Sequence, residues 1–160
     1  MISFNADEIY EMAEQIERNG AKFYRRAADL ADRGGRTLLL RLAAMENDHE
    51  KTFAAMRAEL SVAQKRPITA DPDSEAALYL RAMADGKVFA AHPDDAFAGR
   101  KSMRDILLIA IGLEKDSIVF YESMKEIVPP PAGKERLDDI IRQEIGHIVD
   151  IGEQIAALKN

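Results

Sequence analysis

Two segments of the chain repeat the pattern Glu-x-x-His, and both are candidates for metal binding. The segments Glu46-Asn47-Asp48-His49 and Glu144-Ile145-Gly146-His147 lie 98 residues apart and contain two of the three histidines in the chain. Carboxylate oxygens and imidazole nitrogens suit iron or manganese. The chain has no cysteine. Thiolate zinc, iron–sulfur clusters, disulfides and cysteine nucleophiles are therefore excluded.

A second repeated pattern supplies two more carboxylates. Glu17 is followed by Phe23-Tyr24, and Glu114 by Phe120-Tyr121, at the same offsets. The two glutamates lie 97 residues apart, so this pattern repeats at nearly the same spacing as the Glu-x-x-His pattern. Glu14 is an alternative to Glu17 on the same segment, but only Glu17 has the Phe-Tyr offset that Glu114 shares.

Apolar residues recur at helical spacing in four windows, which predicts helices over about 6–31, 37–62, 102–128 and 134–158. Gly34-Gly35 and the prolines at 129–131 separate the members of each pair, so each pair should form an antiparallel hairpin. The segment 63–101 connects the pairs, and a short helix is predicted near 74–85. The predicted fold class is therefore all-α: residues 1–160 form one domain, a four-helix bundle with one long crossover.

The candidate ligands occupy the apolar stripes of the predicted helices. On the second helix, for example, Glu46 and His49 alternate with Leu42 and Phe53 at spacings of three and four. Glu17 and Glu46 are equally far from the first turn, and Glu114 and Glu144 are equally far from the second. The six side chains should therefore converge in one layer. Four buried carboxylates need protons or cations, and two divalent ions carry four positive charges. We therefore predict a two-metal site formed by Glu17, Glu46, His49, Glu114, Glu144 and His147.

Two features beside the predicted ligands allow more than one interpretation. Gly20 and Ser117 lie one turn after the glutamates of the first and third helices, where small side chains would either leave room for an oxidant or permit tight helix packing. Tyr24 and Tyr121 are either ordinary core aromatics or hydrogen-bond donors to metal-bound carboxylates, and we treat them as candidate catalytic residues on the second interpretation.

Composition disfavours several classes of partner. The chain has 22 basic and 28 acidic residues, a net charge of −6, and no basic stripe with interleaved aromatics. Nucleic acid is therefore not an expected partner. No apolar run approaches the roughly 20 residues of a membrane span, and the first ten residues lack the features of a secretion signal. We expect a mature cytoplasmic protein without a membrane partner.

With these ligands in this order, the chain resembles the ferritin-like superfamily, and most closely its rubrerythrin-like branch. The segments IERNGAKFY, AAMENDHEKTF and GLEKDSIVFYESM carry the resemblance, which covers nearly the whole chain except the crossover. The resemblance implies two iron ions, with manganese as the alternative. It implies that Glu46 and Glu144 bridge them, that Glu17 and Glu114 are terminal ligands, and that each histidine binds one ion.

The chain departs from typical rubrerythrins in two respects. It has no cysteine-rich rubredoxin domain, and Ser117 stands where an extra glutamate is usual. The remaining six-ligand set is closer to that of bacterioferritin. The resemblance implies an oxidoreductase that reduces hydrogen peroxide or dioxygen while oxidising Fe(II), and that depends on an external electron donor. The alternatives are an iron-storage (ferroxidase) subunit of a shell and a metal-stabilised bundle without turnover. A homo-oligomer is expected, with a dimer favoured.

Overall fold

Four long helices and one short helix form the described part of the chain. The computed structural model describes residues 5–66, 75–85, 97–99, 102–127 and 132–158. The helices are α1 (Ala6–Leu30), α2 (Arg33–Ala58), α3 (Glu75–Asp85), α4 (Met103–Ile127) and α5 (Ala132–Ala157). This confirms the all-α prediction, including the short helix in the connection between the two hairpins.

Side-chain caps define the beginning of both helices of the first hairpin. Asn5 forms a capping box with Glu8: the Glu8 backbone N–H donates to Asn5 Oδ1 over 2.9 Å, and the Asn5 N–H donates to Glu8 Oε2 over 3.0 Å. At α2, the backbone N–H of Gly35 donates to Asp32 Oδ1 over 2.8 Å. A Cβ atom at Gly35 would lie 3.3 Å from both Ala31 Cβ and Asp32 Oδ1, so glycine permits the close turn.

Several predicted boundaries were wrong. The second helix was expected to begin at 37, but α2 begins at Arg33. Because Asp32 is the N-cap, Gly34 and Gly35 belong to the first turn of the helix. It also ends at Ala58 rather than at 62, and α5 begins at Ala132 rather than at 134. The predicted cap of α4 is present, since Ser102 and Asp105 exchange hydrogen bonds. The prolines at 129–131 and His92, which was predicted to be a loop residue, lie outside the described residues.

The two hairpins pack side by side. Helix α1 packs on α2 and α4 on α5, while α1 also contacts α4 and α2 contacts α5. Tyr24 contacts Glu114 and Tyr121 contacts Glu17, so α1 and α4 are antiparallel. Since α1 and α2 are also antiparallel, α2 and α4 run in the same direction. The chain between them must therefore return along the bundle, as the predicted crossover requires.

The apolar core is divided into two clusters, one at each end of the bundle. One cluster contains Ile9, Tyr10, Phe53 and Phe120, and α3 adds Leu80 to it. The other contains Phe23, Leu39, Leu42, Leu107 and Ile151. A layer of buried polar side chains lies between the two clusters. None of the described helices is both long enough and apolar enough to cross a membrane.

Candidate metal centre

All six predicted ligand residues lie in this central polar layer. Each is at most 4% exposed, although all six are ionisable. They come one each from α1 and α4 and two each from α2 and α5, as the sequence repeat predicted. The set is Glu17, Glu46, His49, Glu114, Glu144 and His147. The structure thus brings together the residues that the sequence singled out.

The first of two ligand groups surrounds the Nδ1 atom of His49. This nitrogen lies 2.9 Å from Glu144 Oε1, 3.5 Å from Glu17 Oε2 and 3.8 Å from Glu46 Oε2. One ligand atom from each of these four residues lies within 4.8 Å of the others. The group is therefore compact enough to hold a single cation.

The second group surrounds the Nδ1 atom of His147. This nitrogen lies 2.9 Å from Glu144 Oε2, 3.2 Å from Glu46 Oε1 and 3.4 Å from Glu114 Oε1. Glu46 and Glu144 thus belong to both groups, and each turns one oxygen towards His147 and the other towards His49. The two imidazole rings are stacked, with their centroids 5.7 Å apart. The arrangement is two adjacent cation-sized groups with two shared carboxylates.

Many polar atoms of the cluster have no hydrogen-bond partner in the described part of the protein. They include Nδ1 of both histidines, both oxygens of Glu144, Glu46 Oε1 and Glu17 Oε2. These atoms lie close together, but no pair of them has hydrogen-bond geometry. Buried polar atoms are normally paired, and a cluster of unpaired oxygen and nitrogen atoms fits cations of the iron or manganese type.

Burial and mutual contact shift the pKa values within the cluster in opposite directions. Burial raises the pKa of Glu17 and Glu114 well above the usual range, and the charge of neighbouring carboxylates adds to the shift, although at Glu114 the contact with His147 opposes it. Burial also opposes ionisation of Glu144, but contacts with both imidazoles outweigh it and lower the pKa. For His147 burial favours the neutral ring, yet contacts with three carboxylates raise the pKa to about 12.

Two tyrosines connect the hairpins at this layer. The Tyr24 hydroxyl donates to Glu114 Oε1, and the Tyr121 hydroxyl donates to Glu17 Oε1. Both tyrosines are almost fully buried. The structure therefore favours hydrogen bonding to the candidate ligands over a purely packing role, and each bond crosses to the opposite hairpin. The sequence indicated the interaction but not this exchange of partners.

Two small residues, Gly20 and Ser117, lie one turn after Glu17 and Glu114. A Cβ atom at Gly20 would lie 3.4 Å from Cγ, Cδ and Oε2 of Glu46, so the Glu46 side chain borders the space that Gly20 leaves. The hydroxyl of Ser117 donates to the carbonyl oxygen of Leu113 over 3.0 Å. A methyl group at Gly20 would therefore make an ordinary contact, and both interpretations of these small residues stay predictions.

The structure also decides between Glu17 and Glu14. Glu14 lies outside the cluster, with its carboxylate 3.4 Å from Arg57 Nη1 and 3.8 Å from Arg18 Nη2. Glu17 is 1% exposed and belongs to the His49 group. The Phe-Tyr offset therefore identified the correct helix face.

Sequence reasoning missed one residue at the site, Gln143 of α5. Its Oε1 atom lies 3.2 Å from Nε2 of His49, on the side of the ring opposite the cluster. Gln143 also lines a groove of about 300 Å³ between α2 and α5, together with Asp48, Thr52 and Asp139. The repeat gives no signal for this contact, because the position equivalent to Gln143 in the first half is Met45.

Comparison with known proteins identifies the fold. No family model and no curated protein matches the chain. A solved structure does match: a protein of Thermotoga maritima, provisionally described as a ferritin-like diiron-carboxylate protein, superimposes with a TM-score of 0.73 and 20% sequence identity. The match covers 98% of this chain and 97% of that one. The chain therefore has a ferritin-like fold, and assignment to the rubrerythrin-like branch stays a prediction.

Proposed function

We propose that the protein is a diiron oxidoreductase that reduces hydrogen peroxide or dioxygen. The observation that carries the proposal is the pair of ligand groups sharing Glu46 and Glu144. Two buried carboxylates that each face two imidazoles are the arrangement expected of two adjacent cations that share ligands. The description of the Thermotoga protein as a diiron-carboxylate protein supports the same interpretation.

Each residue of the cluster has a distinct task in this proposal. Glu46 and Glu144 would contact both ions, and Glu17 and Glu114 would each be a ligand of one ion. His49 and His147 would each supply one neutral Nδ1 ligand. The mixed oxygen and nitrogen donor set without sulfur suits iron, with manganese as the alternative.

The expected chemistry is a two-electron reduction. The residues of the cluster would hold two Fe(II) ions, which would supply two electrons; with two protons, these would reduce hydrogen peroxide to two water molecules. The apolar clusters above and below the layer exclude bulk water, and the tyrosine hydroxyls orient the terminal carboxylates. The chain has no cysteine for an iron–sulfur relay, so turnover would use an external electron donor or incoming Fe(II).

The test begins with the metal. Elemental analysis of protein purified without added metal should find iron, and anaerobic titration should saturate at two Fe(II) per chain. Glu17→Ala should reduce this number, while the matched control Glu14→Ala should not, because Glu14 lies outside the cluster. Retention of two ions by the Glu17 variant would contradict the ligand assignment.

The reaction is tested next. Stopped-flow mixing of the Fe(II)-loaded protein with peroxide or dioxygen should oxidise the bound iron faster than the same concentration of free Fe(II). If neither oxidant does so while metal raises the melting temperature, the ions only stabilise the bundle and the redox proposal fails. Light scattering after size-exclusion chromatography distinguishes the dimer that we propose from a shell, and a shell would favour iron storage.

A further inference from the structure

The two ligand groups are nearly symmetric, but the outer sides of their imidazole rings are not. Nε2 of His49 lies 3.2 Å from the side-chain oxygen of Gln143. Nε2 of His147 is fully buried and has no hydrogen-bond partner among the described residues. The repeat places Met45 where the second half has Gln143, and a thioether sulfur is only a weak acceptor.

This asymmetry bears on metal binding because of the tautomer that each ring must adopt. A ring that binds an ion through Nδ1 carries its remaining proton on Nε2. At His49 this proton has an acceptor, which fixes the ring plane and makes Nδ1 a better ligand. At His147 the same proton is buried and has no acceptor in the part of the chain that the structure describes, which is energetically unfavourable.

We propose that Gln143 is a positioning residue that makes the two metal positions unequal, so that the ion bound by His49 is taken up first and more tightly than the ion bound by His147. The inference rests on the proposed two-metal site and concerns how that site fills. Outer hydrogen-bond partners of histidine ligands typically contribute a factor of about 10–100 in metal affinity. We therefore expect the two stepwise affinities to differ by about that factor.

The experiment is an anaerobic titration with Co(II), in which calorimetry and visible absorption measure the binding of each ion. The wild-type protein should bind two ions in two resolved steps. Gln143→Leu should weaken the first step by about 10–100-fold, so that the two steps merge. Gln143→Glu retains an acceptor and should restore the separation, whereas Met45→Gln should strengthen the second step. Gln15→Leu is the matched control, because Gln15 is exposed on α1 and bonds to Asn19.

The outcomes separate this inference from the proposed function. Two ions bound with equal affinity, or unchanged steps in Gln143→Leu, would overturn the inference and leave the two-metal site standing. Equal weakening of both steps, or a lower melting temperature of the metal-free Gln143→Leu protein, would indicate a general structural role and would also overturn it. Failure to bind any divalent ion would refute the metal centre and the inference with it.

Discussion

The tyrosine bonds between the hairpins allow a quantitative test of the central layer. Tyr24→Phe and Tyr121→Phe each remove one buried donor to a carboxyl group, and neither changes the packing of the ring. In the metal-free protein the raised pKa of Glu17 and of Glu114 favours the protonated form of both groups. Each bond is then a neutral one, and its loss leaves a buried acceptor unsatisfied, at a cost of about 1–2 kcal/mol.

Metal binding should enlarge this cost. A bound cation requires an ionised carboxylate, and hydrogen bonds to charged groups contribute about 1.5–3 kcal/mol. We therefore expect each substitution to cost about 1 kcal/mol more in the metal-loaded protein than in the metal-free one. By thermodynamic linkage, this difference corresponds to metal affinity weakened by about fivefold.

The assay is chemical denaturation of both forms, combined with metal titration. The control is Tyr10→Phe, because Tyr10 is also buried but its hydroxyl lies beside Gly133 rather than at the cluster. The pseudo-symmetry of the site predicts similar effects for Tyr24 and Tyr121. If both variants bind metal as the wild type does, or if Tyr10→Phe weakens binding equally, the two bonds do not orient the ligands and the reasoning is refuted.

Two further predictions concern the ligands and their packing. Glu46→Ala or Glu144→Ala should abolish binding of the second ion, since each carboxylate serves both groups, and elemental analysis would measure the loss. Unchanged metal content would contradict the assignment. Gly20→Leu should displace the Glu46 side chain and lower metal content, whereas in Gly20→Ala the Cβ would lie at 3.4 Å, an ordinary contact, and binding should persist. Equal metal content in both Gly20 variants would show that this packing does not hold Glu46 in place.

The two sequence repeats were sufficient to predict the composition of the central layer. Glu46 and His49 lie in an apolar stripe, and their distance from the turn places them opposite Glu17, so burial and convergence follow from helix periodicity. The start of α2 was mispredicted because Gly34 and Gly35 favour turns locally, whereas the cap formed by Asp32 depends on a contact that composition does not reveal.

Two particular contacts between the hairpins could not be predicted from the sequence, for a related physical reason. The exchange of tyrosine partners depends on the relative height of α1 and α4, and no short turn connects these two helices. The contact between Gln143 and His49 joins α5 to α2, and the other half of the chain does not repeat it. Periodicity within one helix indicates which face is buried, but it does not determine which side chain of another helix lies opposite.

The charges of the cluster lead to a last prediction, on proton release. In the metal-free protein the pKa directions favour protonated imidazoles, ionised Glu46 and Glu144, and neutral Glu17 and Glu114. In that protonation state, which the prediction takes as its starting point, the buried layer has no net charge.

Two divalent ions bound by four carboxylates and two neutral imidazoles also give no net charge. Filling the site at neutral pH should therefore release up to four protons. The raised pKa values mean that protons compete with metal more strongly as the pH falls, so the overall binding constant should decrease by up to about 10⁴-fold per pH unit. Titration in weakly buffered solution measures the released protons directly. Release of fewer than about two, with both ions bound, would show that the metal-free layer does not hold these protons.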